Sequence, residues 1–316
     1  MALLVRTSDG RTDGRAGGER WQLRDGGSAV EAPPLHELLR VPLDEARAVL
    51  ARAQRAGAAA DADAPLLAPV DTQEVWAAGV TYLRSRDGRA EESDHADVYD
   101  LVYAADRPEV FFKATAARVV GPGGAVGVRV DSGWDVPEPE VGLVLNSRGE
   151  LFGYVPGDDV SSRTIEGENP LYLPQAKVYS RSCSLGPGVV PVWDAPQGPL
   201  AVAVTIERGG ATVYEDATTT ASMARSFTEL AAWLFAGLDF PDGVVLLTGT
   251  GLVPPPEVTL LEGDVVTVRV DGVGELTNPV VRVGRQPAAL RTAAETSQLA
   301  TSWSPSTKPA AWPSAL

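Results

Sequence analysis

The sequence predicts a β-rich α+β protein in which a long succession of short strands is covered by a few helices. Three observations carry that prediction. From Val75 onward, short apolar stretches recur between Gly, Pro, Asp and Asn residues, the pattern of strands punctuated by turns. Only two segments show helical periodicity. A chain of 316 residues with 44% hydrophobic content can bury a substantial core, in one large domain or in one domain plus an appendage.

In chain order, Met1–Arg6 predicts a strand, followed by a glycine-rich turn region. Pro42 then opens a helix, LDEARAVLARAQRAG, in which Leu43, Ala46, Val49, Leu50 and Ala53 form an apolar stripe. The small and acidic residues of AGAAADADAPLLAPVD, residues 56–71, have no sustained period and predict a linker. Strands follow at Val75–Val80, Val110–Lys113, Val126–Val130, Glu140–Leu145, Leu151–Val155, Ala201–Glu207, Ala211–Tyr214, Val244–Leu247, Val265–Val270 and Val280–Val283. Gly209–Gly210 supplies the positive φ angles of a hairpin between the sixth and seventh of these. A helix over Ala221–Gly237 interrupts them, with Thr220 as its N-cap and Met223, Phe227, Leu230, Ala231 and Leu234 along one face. The tail carries Trp303 and Trp312, and exposed indoles predict that it docks on its own subunit or a neighbour. The expected organisation is a small N-terminal domain at 1–70, a large domain at 71–287 and a C-terminal arm at 288–316.

Acidic residues outnumber basic ones by 42 to 27, and the net charge of -15 repels polyanions, which argues against nucleic-acid and anionic-membrane partners. No stretch approaches the ~20 apolar residues of a membrane span, and the start lacks a secretory pattern, so the chain is expected to be soluble and cytoplasmic. One cysteine, Cys183, and two histidines, His36 and His95, cannot build a thiolate metal site, which argues against zinc. Of the 27 cations only Lys113, Lys177 and Lys308 are lysines. Codon preference alone explains such a bias, so these three mark places to look.

The densest polar information lies between Trp134 and Tyr179. Glu138 and Glu140 are two apart at a strand entry and project from the same face. Pro139 between them lacks an amide donor and predicts a strand beginning or a sheet edge. Taken alone, a Glu-Pro-Glu is most simply a solvated face. A strand, a turn at Ser147–Gly149 and a returning strand bring Asp159 back toward both glutamates. Three converging carboxylates form an all-oxygen site suited to Mg²⁺, with Mn²⁺ as a substitute. Asp158 next door fits a polar turn equally well. Lys177 is placed to bring a compact ammonium to an oxyanion there, a task a planar guanidinium does poorly. Lys113, ending VFFK, fits a snorkelling strand-end cation as well as a catalytic one.

The segments RPEVFFKAT, VPEPEVGLVL, GYVPGDDVSSRTIEGENPLYLPQAKVY and LLTGTGLVPP resemble the fumarylacetoacetate hydrolase superfamily, over about Val75 to Arg285. The ENPLYLPQAK stretch and the TGTG turn are similar to its 2-keto-3-deoxy-pentonate (arabinonate or xylonate) dehydratase branch. The resemblance implies a mixed β-sandwich roll, the C-terminal-domain fold of that superfamily, behind the smaller N-terminal domain. It implies that Glu138, Glu140 and Asp159 hold Mg²⁺, that Lys177 contacts the substrate oxyanion, and that Thr250 binds the substrate carboxylate. Glu109, before VFFK, becomes a candidate acid or base. A homodimer or a dimer of dimers is implied as well.

One departure bears on the reaction. Hydrolases of the superfamily carry a water-activating histidine on a lid, where this chain has Ser85 in WAAGVTYLRSRDGRAEES. That favours a lyase, with Arg84, Ser85, Arg86 and Arg89 available to read a carboxylate or sugar hydroxyls. His36 and His95 are weak substitutes. Gly121-Pro-Gly-Gly is a turn rather than a phosphate loop, since no strand-then-helix context surrounds it. Cys183 reads as a small buried residue, and Glu166 and Glu168 fit either a supporting role or a polar surface.

The expected function is therefore a Mg²⁺-dependent dehydratase that converts a 2-keto-3-deoxy-pentonate to 2,5-dioxopentanoate through a metal-stabilised enolate, with Lys177 and Glu109 moving the protons. A fumarylacetoacetate- or acylpyruvate-type hydrolase, or a related decarboxylase or isomerase, is the nearer alternative. The further one is a non-enzymatic sugar-acid binding protein.

Overall fold

A computed structural model of the chain describes residues 1–8, 18–84 and 101–285. Ser85, Arg86, Arg89, His95 and the tail with Trp303, Lys308 and Trp312 lie outside the described residues. The first elements form their own antiparallel sheet: β1 (Leu3–Ser8), β2 (Glu19–Asp25), β3 (Ser28–Ala32) and β4 (Leu66–Leu67), in the order β3-β2-β1-β4. The β2–β3 hairpin stands where the sequence predicts turn, and β4 where it predicts linker. α1 (Leu35–Leu39) and α2 (Leu43–Ala56) lie between β3 and β4. α2 buries Ala46 and Leu50 and ends at Gly57 in the left-handed conformation, as its apolar stripe and its glycine predict.

The larger body begins with β5 (Glu74–Gly79), β6 (Glu109–Ala114), β7 (Val126–Arg129), β8 (Asp135–Val136), β9 (Pro139–Leu145), β10 (Leu151–Asp159) and β11 (Ser161–Ser162). Two short helices follow, α3 (Arg163–Glu168) and α4 (Leu173–Lys177). Then come β12 (Cys183–Leu185), β13 (Val190–Pro191), β14 (Ala201–Arg208), β15 (Ala211–Thr219), α5 (Phe227–Phe235), β16 (Val244–Leu247), β17 (Val265–Val270) and β18 (Gly274–Val283). One sheet has the order β12-β10-β9-β16-β5-β6 with β13 beside β10, and a second has the order β15-β14-β17-β18-β7. Both are mixed, because β16 runs parallel to β5 and β18 to β7 while their other pairs are antiparallel. The expected β-rich α+β roll is the fold observed.

β9 and β16 are buried on both faces, which is why VGLVL and VVLL read as continuous apolar runs rather than alternating ones. Val141, Leu143, Leu145, Val244 and Leu246 share a core with Val204, Ile206, Val266 and Val268 of the second sheet. Val144, Val245 and Leu247 share the other core with Leu4, Trp21, Leu35 and Leu39 of the N-terminal elements. The first sheet curls. β6 and β10 stand near opposite ends of its order, yet Lys113 of β6 forms an ion pair with Asp159 of β10, and Val120 bridges to Ser184 of β12.

One expected helix is corrected. Thr220–Ser222 is a single 3₁₀ turn capped by Thr219, Met223 is extended and pairs with Tyr82, and α5 starts only at Phe227. The true N-cap is Ser226, whose hydroxyl accepts from Glu229 N at 3.1 Å. The apolar spacing of Met223 with Phe227 is helical by coincidence. Among the described residues, no helix is long and apolar enough to cross a membrane.

Candidate active site

The β9–β10 hairpin builds the centre of the site. Its register sets Gly157 opposite Glu140 and Asp158 opposite Pro139, and Asp159 N donates to Glu138 O at 3.0 Å. Directly opposed residues of an antiparallel pair share a face, so Glu138, Glu140 and Asp159 project together. All three are buried, and one oxygen from each lies within 4.8 Å of the others. Pro139 opens β9, a central strand, so the strand-beginning expectation holds and the edge does not.

Cations and donors ring the triad. Lys177, at the C-terminal end of α4, places Nζ 2.5 Å from Glu138 Oε2 and 3.1 Å from Asp159 Oδ2, and donates to Ser161 Oγ at 2.7 Å. Lys113 pairs with Asp159 Oδ1. Arg163 Nη1 lies 2.6 Å from Glu138 Oε1 and 2.9 Å from Glu166 Oε2. The N–H of Gly249 donates to Glu140 Oε2 at 2.6 Å. Burial, then the charges of Asp159 and Glu138, hold the Glu140 carboxyl well above the ordinary carboxylate range. Like charges crowded in this way call for a cation between them.

The donor set is hard. Cys183 sits opposite Asp159 on β12, and burial keeps its thiol protonated far above neutrality. Three converging carboxylate oxygens without imidazole or thiolate fit Mg²⁺ or Mn²⁺. Asp158 is not one of them: its Oδ1 accepts from Glu138 N at 2.9 Å, and burial raises its pKa to about 7.

β6 crosses the open side of the curl. Residues two apart share a strand face, and here Phe111 lies with its ring 5.7 Å from Lys177 Nζ while Lys113 reaches Asp159. Glu109, on the same side, is half-buried with its carboxylate against Gly79 of β5; a Cβ at Gly79 would lie 2.0 Å from Glu109 Oε2. Thr250 is buried one residue beyond Gly249, and its hydroxyl accepts from Leu252 N at 3.1 Å. Arg84 is exposed, where its charge is felt by the Tyr214 phenol of β15. His36, on α1 in the N-terminal part of the fold, pairs with Asp71 at 2.9 Å.

Sequence reasoning named the triad, Lys177 and Glu109 but missed three neighbours. Arg163 and Ser161 lie in the DDVSSRTIEGE segment, where nothing in the local pattern says that an arginine turns inward. Tyr82 is buried, and burial followed by the Glu140 charge holds its phenol protonated. Glu166 is buried on Arg163, whereas Glu168 is exposed.

A mixed two-sheet roll with three buried carboxylates at the mouth of its central hairpin defines a divalent-cation-dependent enzyme class. The chain belongs to the fumarylacetoacetate (FAA) hydrolase C-terminal family, whose model matches residues 74–281, from β5 into β18. It is 56% identical over 216 residues to a probable 2-keto-3-deoxyxylonate dehydratase of Haloferax volcanii, covering 68% of this chain and 74% of that protein. It is 40% identical over 224 residues to the 2-dehydro-3-deoxy-D-arabinonate dehydratase of Saccharolobus solfataricus, covering 69% of this chain and 75% of that one. A solved 2-keto-3-deoxy-D-arabinonate dehydratase, complexed with magnesium and 2,5-dioxopentanoate, superposes with a TM-score of 0.76 at 32% identity, over 90% of this chain and all of its own.

Proposed function

We propose that this protein is a Mg²⁺-dependent dehydratase, a carbon–oxygen lyase that converts a 2-keto-3-deoxy-pentonate to 2,5-dioxopentanoate in the breakdown of pentose-derived sugar acids. The observation that carries this reading is the buried triad with Lys177 in contact with two of its members. The identities to dehydratases of this substrate class support it.

Glu138, Glu140 and Asp159 would hold the magnesium, with manganese as a substitute. Bound there, the ion supplies Lewis-acid polarisation of the keto acid and so acidifies its C3 hydrogen. The protons belong to the chain's own side chains. Lys177 Nζ faces Glu138 Oε2, Asp159 Oδ2 and Ser161 Oγ, acceptors all, which is the setting of an ammonium donor. It donates to the oxyanion developing at C2 and toward the departing C4 hydroxyl. Glu109, the carboxylate on the facing strand, takes the C3 proton; the C4 hydroxyl leaves as water, and the resulting C3–C4 alkene then loses a C5 proton and gains one at C3, giving the enol that tautomerises to 2,5-dioxopentanoate. Thr250 and the backbone of the Thr-Gly-Thr-Gly turn bind the substrate carboxylate. Arg84, Ser85 and Arg86 contact the carboxylate or the sugar hydroxyls.

The same reading takes residues 1–70 as a small N-terminal domain, 71–287 as the catalytic domain and 288–316 as an arm. It takes the enzyme to be cytoplasmic, a homodimer or dimer of dimers, with a small keto acid as its partner and neither nucleic acid nor membrane. Incubation with 2-keto-3-deoxy-pentonate and Mg²⁺ tests the reaction, and formation of the semialdehyde is expected. Cleavage of an acylpyruvate or fumarylacetoacetate, without semialdehyde formation, would overturn the reading in favour of a hydrolase.

A further inference from the structure

Each carboxylate of the triad has an oxygen tied to a donor other than Lys177. Glu138 Oε1 meets Arg163 Nη1 at 2.6 Å, Glu140 Oε2 accepts from Gly249 N at 2.6 Å, and Asp159 Oδ1 meets Lys113 Nζ. Glu138 Oε2 and Asp159 Oδ2 point the other way, toward Lys177. One oxygen from each of the three lies within 4.8 Å of the others, so each residue has a single oxygen to turn to the centre.

Of the three tethers, Lys113 is the one that holds Asp159, and the reaction gives it no role. Its side chain is fully buried. Beside its ion pair with Asp159 it donates to Lys177 O at 2.5 Å and to Val160 O at 3.2 Å, so two carbonyls fix the ammonium next to the carboxylate.

We propose that Lys113 is a positioning residue that keeps Asp159 a one-oxygen ligand, and that this restraint sets the preference of the site for a small six-coordinate cation over a larger one. The inference rests on the reading that the triad binds a divalent metal. Mg²⁺ and Mn²⁺ take single oxygens in octahedral order, whereas Ca²⁺ gains from carboxylates that bind through both. With Oδ1 paired to the fully buried Lys113, Asp159 has only Oδ2, the oxygen on the side of Lys177, to turn to an ion, and a second contact to the larger ion is withheld. Lys113 also adds positive charge beside the site, but that charge opposes every divalent ion alike and leaves their ratio unchanged.

The test uses the full-length protein loaded with Mn²⁺, and compares it with Lys113→Met. In ¹⁷O-labelled water, the EPR line broadening of the wild type should count three water ligands, those left by three single oxygens in six-fold coordination. Competition titrations of Ca²⁺ against Mn²⁺ should show the ratio of their dissociation constants falling about tenfold in Lys113→Met, the usual scale for loss of a residue that orients a ligand. A change of both constants by one common factor would reduce Lys113 to charge or scaffold and overturn the proposal. Fewer than three waters in the wild type would overturn it even if the variant does not fold. Absence of Mn²⁺ binding in the wild type would instead overturn the metal reading beneath it.

Discussion

The amide of Asp159 donates to the carbonyl of Glu138 at 3.0 Å, and that ladder bond fixes the two carboxylates side by side at the head of a hairpin. Both side chains also hold buried cations, Lys177 between them and Lys113 on Asp159. Asp159→Asn should therefore act twice. Removing one partner of a buried ion pair costs about 3–5 kcal/mol, so the melting temperature falls. The rise in melting temperature that Mg²⁺ gives the wild type should vanish with it. Thermal scans with and without Mg²⁺ check both effects, and a variant still stabilised by the ion would remove Asp159 from the ligand set.

Gly249 lies in the left-handed region at φ 88°, and a Cβ there would meet Thr81 Oγ1 at 2.1 Å and Ala78 O at 2.9 Å. Neither neighbour gives way easily, since Thr81 donates to Thr248 O at 2.7 Å and Ala78 is sheet backbone. Gly249→Ala should lose at least about 1–2 kcal/mol from backbone strain alone. As the N–H on Glu140 shifts, metal affinity should drop as well. Urea unfolding in chelator measures the first effect and calorimetric titration of Mg²⁺ the second.

Gly79 predicts the opposite balance. The atom that its Cβ would meet is the far end of the Glu109 side chain, which can swing aside. Gly79→Ala should thus change stability little while displacing the carboxylate assigned to C3. With Glu109→Gln, kcat should fall by about 10²–10⁴-fold, the scale of a lost general base, and Gly79→Ala should move in the same direction. Exchange of the substrate C3 hydrogen with deuterated solvent separates the proton roles. Glu109→Gln should stop it, and Lys177→Met should block dehydration. Exchange that persists in Glu109→Gln and stops in Lys177→Met would reverse the assignment.

These sites differ in how far the sequence discloses them. β9, β10 and β16 are bounded by Pro, Gly and Asp and carry compact apolar runs, so their positions and the hairpin that gathers the triad follow from pattern and period. The β2–β3 hairpin does not, because Trp21 and Leu23 alternate inward amid charges and glycines that read as turn. α5 is misplaced because Met223 keeps helical spacing with Phe227 while pairing with Tyr82 as extended chain. Contacts made by curling escape a linear reading altogether. That Lys113 meets Asp159 depends on the first sheet closing on itself, and local spacing does not encode that closure.

Asp158 carries the clearest pH signature. It is fully buried, burial raises its pKa from 3.8 to about 7, and Oδ2 has no hydrogen-bond partner. The folded protein holds this proton where the unfolded chain has released it, so the stabilisation is complete below pH 3.8 and lost as pH rises toward 7. The whole effect is worth about 4 kcal/mol at 1.36 kcal/mol per pKa unit. Asp135, raised to about 6 chiefly by burial, acts in the same direction. Asp71, Asp131 and Asp264 are held below the ordinary range by hydrogen-bond partners, so their contribution is lost only as pH falls below 3.8, outside this window. Asp158→Asn keeps an oxygen to accept from Glu138 N and cannot ionise. In chelator, from about pH 5 to about pH 8, the unfolding free energy of the wild type should decline more steeply than that of the variant. Parallel curves by urea denaturation would show that the Asp158 carboxyl is not protonated in the folded protein.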